Sequence, residues 1–316
     1  MSRASTSDRR KGTPASPDPG EAAARIGAAL AGQAAREMAE PLAGGLHVVA
    51  TPIGNLGDMT VRAVSTLARA DAILCEDTRV SRTLLERYAI DRPLRAFHEH
   101  NEDAEQARVI AEIAEGRAIA LISDAGTPLL SDPGYKLVRA AIAAGHPVTA
   151  LPGASAILTG LALSGLPTDG FFFGGFLPNK QAARRTRLET LAAIPGSIVL
   201  FESPSRIADA LADVAAVLGD REVVVARELT KRFEEVRRGL APVLAAELAA
   251  HPVKGEIVLV IAPAPPREAT DAEIEAALRT ALASSSLRDA VRLVTDDLGA
   301  ARTRVYQLGL RLKDET

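Results

Sequence analysis

The chain of 316 residues carries 37 Lys and Arg against 40 Asp and Glu, a formal charge of −3, which excludes a protein that holds nucleic acid through its whole-molecule field. Any basic surface therefore has to be local. A hydrophobic content of 47% excludes a disordered or fibrous chain, and the length allows two cores; the single cysteine, Cys75, excludes an internal disulfide and suits a reducing cytosol.

Residues 1–43 read as a disordered leader that runs into a short Ala-rich helix around Glu21–Glu40. The first forty residues hold no continuous apolar segment of the kind a secretory signal carries. From Leu46 the pattern becomes strand, loop, helix and strand again. Leu46–Ala50 reads as a short apolar strand broken by Thr51-Pro52-Ile53-Gly54-Asn55, and a helix follows through Leu67 with Thr60 or Asp58 as its cap. Ala72–Cys75 is a second strand, ending in Glu76-Asp77-Thr78-Arg79 before another helix. The polar segment Phe97–Glu102 precedes a helix near Ala104–Glu115. Ala118–Ile122 reads as a fully buried strand that stops at Ser123-Asp124, and turn residues crowd the next stretch: Gly126, Pro128, Ser131, Asp132, Pro133 and Gly134. A helix from Tyr135 to Ala144 and a strand at Val148–Leu151, ending in Pro152-Gly153-Ala154-Ser155, complete a βα alternation that predicts a mainly parallel, doubly wound sheet. Residues 148–167 lack charge over a length that would span a bilayer, but Pro152, Gly153 and Gly160 interrupt them, so they read as core.

The second half differs in texture. Phe171–Phe173 and Phe176 concentrate four of the seven phenylalanines, and strands are expected at Ser197–Glu202, Glu222–Ala226 and Glu256–Ile261 with helices at Ser205–Leu218 and Pro242–Ala250. A second α/β domain with more antiparallel pairing fits these. Ala262–Arg267, with Pro263, Pro265 and Pro266, reads as a stiff linker. Residues 271–283 and 287–312 read as helices, the latter broken at Asp296–Ala300 in the manner of a helix-turn-helix. The division is a leader over 1–43, α/β domains over 44–164 and 165–263, and a linker with a helical domain over 264–316.

Several chemistries lack their signature. No G-x-G-x-x-G follows a strand, and neither G-x-x-x-x-G-K-[ST] nor G-x-S-x-G occurs. His98 and His100 are spaced like a metal pair without a third ligand nearby, so no metal is expected. The loops at strand ends remain: Thr51–Asn55, Glu76–Arg79, Ser123–Asp132 and Pro152–Ser155. Such loops are where open α/β sheets hold ligands. Their small residues, backbone amides and carboxylates suit a ligand with an amino acid end and a nucleoside end. S-adenosylmethionine has that anatomy, and nucleotides and acyl carriers have similar needs.

A set of motifs in order along the chain carries a resemblance: V-A-T-P-I-G-N-L-x-D-M-T (49–60), C-E-D-T-R (75–79), H-E-H-N-E (98–102), L-I-S-D-A-G-T-P-L-L-S-D-P-G (121–134), L-P-G-A-S-A (151–156), G-F-L-P (175–178), F-E-S-P-S-R (201–206), A-R-E-L-T-K (226–231) and K-G-E-I-V-L-V (254–260). The sequence resembles the ribosomal RNA small subunit methyltransferase I family, within the tetrapyrrole-methylase superfamily, from about residue 46 to the C-terminus. It departs where Ala50 stands for a frequent proline and Ala154 for the proline of L-P-G-P; neither removes a polar group. The resemblance implies a two-domain α/β fold with S-adenosylmethionine in the cleft between domains. It places the cofactor against Pro52, Ile53, Gly54 and Asn55, Asp124, Ala125, Gly126 and Thr127, Ser155 and Ala156, with Phe201 and Glu256 from the later motifs. Lys254-Gly255-Glu256 also reads simply as the start of a strand. The implied activity is methylation of the ribose 2′-hydroxyl of a cytidine in the decoding region of small-subunit rRNA, on naked rRNA or the assembled subunit, by a cytoplasmic homodimer with no membrane partner.

Methyl transfer to a hydroxyl needs an in-line oxygen and a proton acceptor. Asp77 or Glu76 is the candidate base or orienting group, Arg79 a phosphate clamp, His98 a second base, and Lys231 an orienting or phosphate-binding cation. The Glu76–Arg79 stretch reads alternatively as a helix cap with a local ion pair. For RNA, Lys180, Arg184, Arg185 and Arg187 form one basic run; Arg227, Lys231, Arg232, Arg237 and Arg238 form a second, diluted by glutamates. Arg302, Arg304, Arg311 and Lys313 form a third, with Tyr306 available to stack on a base. Two other readings stand beside this one: a small-molecule methylase acting on a tetrapyrrole, and a non-enzymatic ribosome-binding module.

Overall fold

Strands buried on both faces are written as unbroken apolar runs, and the first half of the chain holds several such runs. A computed structural model describes residues 18–98, 100–265 and 269–314. The expected leader before residue 18, and Pro266 and Arg267 of the expected linker, lie outside the described residues. In the first half, β1 (Gly45–Val49), β2 (Ala72–Cys75), β3 (Leu94–Ala96), β4 (Ala118–Ile122) and β5 (Val148–Leu151) form a sheet in the order β3-β2-β4-β1-β5. Every pairing in it is parallel. Its helices are α1 (Pro19–Ala39), α2 (Val61–Arg69), α3 (Thr78–Arg87), α4 (Glu102–Ala114) and α5 (Tyr135–Ala143).

Side chains on a strand alternate faces, and β4 shows what that does to the core. Ala120 and Ile122 pack with Leu67 and Ile73 on one face, while Ile119 and Leu121 pack with Phe97, Val109 and Leu137 on the other. Thr60, one of the two expected caps, accepts from the Ala63 amide at 3.1 Å and starts α2. Because all five strands run one way, the loops after β2, β4, β1 and β5 emerge side by side on one edge.

The second half comprises β6 (Phe171–Phe176), α7 (Gln181–Leu191), β7 (Ser197–Glu202), α8 (Ile207–Leu218), β8 (Glu222–Arg227), β9 (Glu235–Leu240), α9 (Ala241–Ala250) and β10 (Ile257–Ile261). Its sheet runs β6-β7-β10-β8-β9; β6 pairs parallel with β7 and the other pairs are antiparallel. The more antiparallel second sheet is as expected. The sequence reading had no place for α7, β9 or the three-residue β3.

The helix α6 (Ala156–Ser164) follows β5 but packs across the expected boundary at 164. Its Ile157 and Leu161 lie with Val199, Val224 and Val258 of the second sheet. Close approach is possible because position 160 is glycine: a Cβ there would stand 2.7 Å from Val258 Cγ1. The uncharged stretch 148–167 is thus β5, a turn and a helix with one face buried.

The last three helices, α10 (Asp271–Leu282), α11 (Leu287–Leu298) and α12 (Arg302–Asp314), enclose a separate core around Ile274, Leu278, Val291, Val294, Val305 and Leu308. Thr270 and Glu273 form a capping box at the start of α10. The chain turns between α11 and α12 through Gly299 at φ 62°, inside the break read from sequence. No described helix is long and apolar enough to cross a membrane.

Candidate functional site

The adjacent strand-end loops of the first sheet are stitched to one another. Thr51 and Gly126 exchange backbone hydrogen bonds of 2.9 and 3.0 Å, and the Thr51 hydroxyl donates to the Ser123 carbonyl at 3.0 Å. The Thr127 hydroxyl donates to the Ala154 carbonyl at 3.2 Å, joining the loops after β4 and β5. The Asp77 amide donates to Asp124 Oδ1 at 3.1 Å, joining those after β2 and β4. Ser155 caps α6 by accepting from the Leu158 amide.

Two cavities open from this stitched edge. The first, about 410 Å³, lies between the two sheets; Asp124–Thr127, Ser155 and Ala156 face Phe201–Pro204, Leu229 and Gly255–Val258 across it. Ile53, Phe176 and Asp132 also line it. The second, about 600 Å³ and more polar, is walled by Glu76–Arg79, His98, His100 and Pro133. Asp124 and Ser131 belong to both walls, so the cavities adjoin along the loop after β4.

Of the residues read as cofactor-binding, Ile53, Asp124, Ala125, Gly126, Thr127, Ser155, Ala156, Phe201 and Glu256 line the first cavity. Pro52, Gly54 and Asn55 do not. Pro52 is buried. Asn55 instead accepts from the Gly57 amide at 2.9 Å and caps a short 3₁₀ turn. Gly54 makes room for Lys231, whose Cγ would lie 2.4 Å from a Cβ at that position.

Glu76, Asp77, Arg79 and His98 share the second cavity. Asp77 caps α3 and takes the Arg79 guanidinium on both carboxylate oxygens, and those bonds hold its pKa down at about 2. The helix-cap alternative thus describes its contacts, and a carboxylate held so low is a weak proton acceptor. His98 presents a buried Nδ1 without a hydrogen-bond partner among the described residues, and its ring stands edge-on to His100 at 5.8 Å. Lys231 faces the other sheet and is held by Glu228 and Glu256 at 2.8 and 2.9 Å. Burial opposes its charge, but the two carboxylates raise its pKa above the usual lysine value. It acts as a strut between the sheets at the rim of the first cavity.

Residues 45–245 match the family Tetrapyrrole (Corrin/Porphyrin) Methylases, and residues 268–313 match the RsmI C-terminal HTH domain. Ribosomal RNA small subunit methyltransferase I of Mesorhizobium japonicum is 48% identical over 278 residues, which cover 87% of this chain and 95% of that one. Its namesake in Haemophilus influenzae is 42% identical over 275 residues, covering 85% and 97%. The chain belongs to the ribosomal RNA small subunit methyltransferase I family. Among solved structures, the methyltransferase CobJ superposes with a TM-score of 0.53 at 20% identity over 72% of this chain and 97% of that one, a likeness of fold alone.

A member of this family is a methyltransferase whose cofactor is S-adenosylmethionine, and the first cavity fits that group. Its volume falls in the ~300–1,000 Å³ range of small-molecule sites. Among the described residues four acids line it, Asp124, Asp132, Glu202 and Glu256, and no Lys, Arg or His does. Glu202 is paired with Arg206 at 2.9 Å and Glu256 with Lys231, which leaves Asp124 and Asp132 to face a cation. A ligand carrying a sulfonium and an ammonium matches that wall. Gly126, at φ 82°, brings backbone to the cavity, and the Phe176 and Phe201 rings stand 5.5 Å apart on the opposite side.

The basic runs fare unequally. Arg184 requires correction: it is 4% exposed and bonds the fully buried Asp213 at 2.6–2.7 Å, so it anchors α7 to α8 and presents nothing to RNA. Arg185 also reaches Asp213 but remains half-exposed. In the second run Arg227 pairs with Glu235, Arg237 with Glu235 and Glu247, and Arg238 donates to the Leu163 and Ser164 carbonyls. Their charge is spent holding β8, β9 and α9 together and tying β9 to α6. Lys180, Arg302, Tyr306, Arg311 and Lys313 are exposed and Arg187 half-buried. Arg304 pairs with Asp271 at 2.7 Å, tying α12 to α10. Ser131, Asp132 and Ser203 lie in stretches the sequence singled out, the Ser123–Asp132 loop and the F-E-S-P-S-R motif, but were not themselves named as site residues.

Proposed function

We propose that this protein transfers the methyl group of S-adenosylmethionine to the ribose 2′-hydroxyl of a cytidine in the decoding region of small-subunit rRNA, working in the cytoplasm as a homodimer. The observation that carries this reading is the joining of two unlike cavities: an acid-lined one suited to a cationic donor, and an open polar one, with Arg79 at its edge, suited to a sugar-phosphate. When bound, S-adenosylmethionine supplies the methyl group as an electrophile. The residues of this chain hold the ribose beside it, and much of the rate enhancement of such a step comes from that alignment.

The exposed cations of α12 and Lys180 just ahead of α7, with Tyr306 on the same helix as Arg302 and Arg311, support an RNA partner. A tetrapyrrole substrate would have no use for the C-terminal helices. Exposed Phe171 and Phe172 on β6, an edge strand, support a self-associating surface. The test is transfer of labelled methyl groups to small subunits and to naked rRNA from cells lacking this activity. Label recovered as 2′-O-methylcytidine is the expected result; label on a base, or none, refutes the reading.

A further inference from the structure

A hydroxyl attacks a methyl group faster when its proton is taken up as the bond forms, and Asp77, one of the candidates for that task, is poorly placed for it. Asp77 is locked onto Arg79, and Lys231, read as an orienting cation, is clasped by two glutamates. The loop after β4 offers another group. Between Leu129 and Gly134 the backbone enters the left-handed region three times, at Leu129 (φ 76°), Ser131 (φ 72°) and Gly134 (φ 119°). Non-glycine residues rarely take that conformation, and where they do the surroundings impose it, often at working sites. Those turns put Ser131 on both cavity walls and Asp132, the next residue, on the first.

We propose that Asp132 is the proton acceptor for the attacking ribose hydroxyl, a proposal that rests on the methyl-transfer reading above. Asp132 lines the donor cavity, and its chain neighbours Ser131 and Pro133 line the polar one, so it stands beside the place where the oxygen and the methyl carbon must meet. Among the described residues no Lys, Arg or His forms an ion pair with it. Glu76 at the end of β2 and Asp124 at the end of β4 face it, and the Ser123 hydroxyl donates to the Gly126 carbonyl at 3.1 Å. Across the first cavity, Glu202 and Glu256 are neutralised by Arg206 and Lys231; His98 lies across the second. Burial, then the charges of Glu76 and Asp124, raise the Asp132 pKa to about 6. A base poised near neutral pH both accepts a proton and is free to accept it. In the step, the hydroxyl oxygen forms the new O–CH₃ bond while the C–S bond breaks with its electron pair kept on sulfur. The hydroxyl proton passes to an Asp132 carboxylate oxygen and then to water. One positive and one negative charge disappear together, so nothing else is required for balance.

The experiment compares wild type, Asp132→Asn, Asp132→Glu and His98→Gln in labelled methyl transfer to undermethylated small subunits across pH 5–9, with calorimetric binding of S-adenosylhomocysteine to each. Asp132→Asn is expected to lower kcat by roughly 10²–10⁴-fold while binding S-adenosylhomocysteine within a few-fold of wild type, and to abolish the acid limb of the pH profile. Should Asp132→Asn fail to bind, Asp132→Glu decides: a carboxylate moved by one methylene shifts the midpoint of that limb, and an unmoved midpoint overturns the proposal. Wild-type kcat in Asp132→Asn, or loss of the acid limb in His98→Gln instead, overturns it while leaving the methyl-transfer reading intact. Absence of transfer by wild type overturns both.

Discussion

Two aspartates of the same edge behave oppositely because of what stands beside them. Asp77 meets a guanidinium and ionises at about 2; Asp132 meets two carboxylates in a partly dry cleft and ionises at about 6. The raised value means that the folded protein holds the Asp132 proton more tightly than the unfolded chain, whose aspartate titrates near 3.8. Stability therefore falls as pH rises from about 4 to about 6 and stays lowered above that. Thermal melting checks this: Asp132→Asn is expected to raise the melting temperature at pH 8 and to leave it nearly unchanged at pH 4. For Asp77→Asn the expectation differs, since asparagine caps a helix about as well as aspartate and the ion pair is exposed, so melting moves little at any pH. Asp124 and Gly126 were legible from sequence as a carboxylate and a turn at a strand end. The special character of Asp132 was not, because the groups that perturb it come from β2 and β4, up to 56 residues away, and meet it only once those strands pair.

At the level of elements, the parallel alternation of the first sheet was plain in the sequence because each buried strand is a contiguous apolar run. α7 and β9 were hidden for the converse reason. Their arginines looked like surface charge, yet Arg184 serves the buried Asp213 and Arg237 pairs with Glu235 and Glu247. Arg184→Ala is expected to destabilise the protein by about 3 kcal/mol, the lower end for a broken buried pair because Arg185 still holds Asp213, and to leave RNA affinity unchanged. Chemical denaturation and filter binding read the two effects. Gly160→Ala sets two effects against each other. Alanine gains about 1 kcal/mol of helix propensity, whereas overpacking against a buried, β-branched Val258 on the central strand costs about 1–3 kcal/mol. The clash prevails, and a lower denaturation midpoint is the expected result.

Across the whole molecule, the near-zero net charge leaves recognition to a few exposed cations rather than to a general field. The helical unit over α10–α12 has a core of its own and carries Arg302, Arg311 and Lys313 outward. Removing Arg302 and Arg311 together is expected to weaken rRNA binding and to flatten its dependence on salt by roughly 0.7–0.9 for each phosphate no longer neutralised, measured by titration at several ionic strengths. Unchanged slope would assign RNA binding to another face. The central claim concerns the cleft between the two sheets, and a crystal structure with S-adenosylhomocysteine tests it most directly. The account predicts density against Asp124–Thr127, Ser155–Ala156 and Phe201, with the sulfur directed toward Asp132 and the cavity beside Glu76; density at any other place on the protein would contradict it.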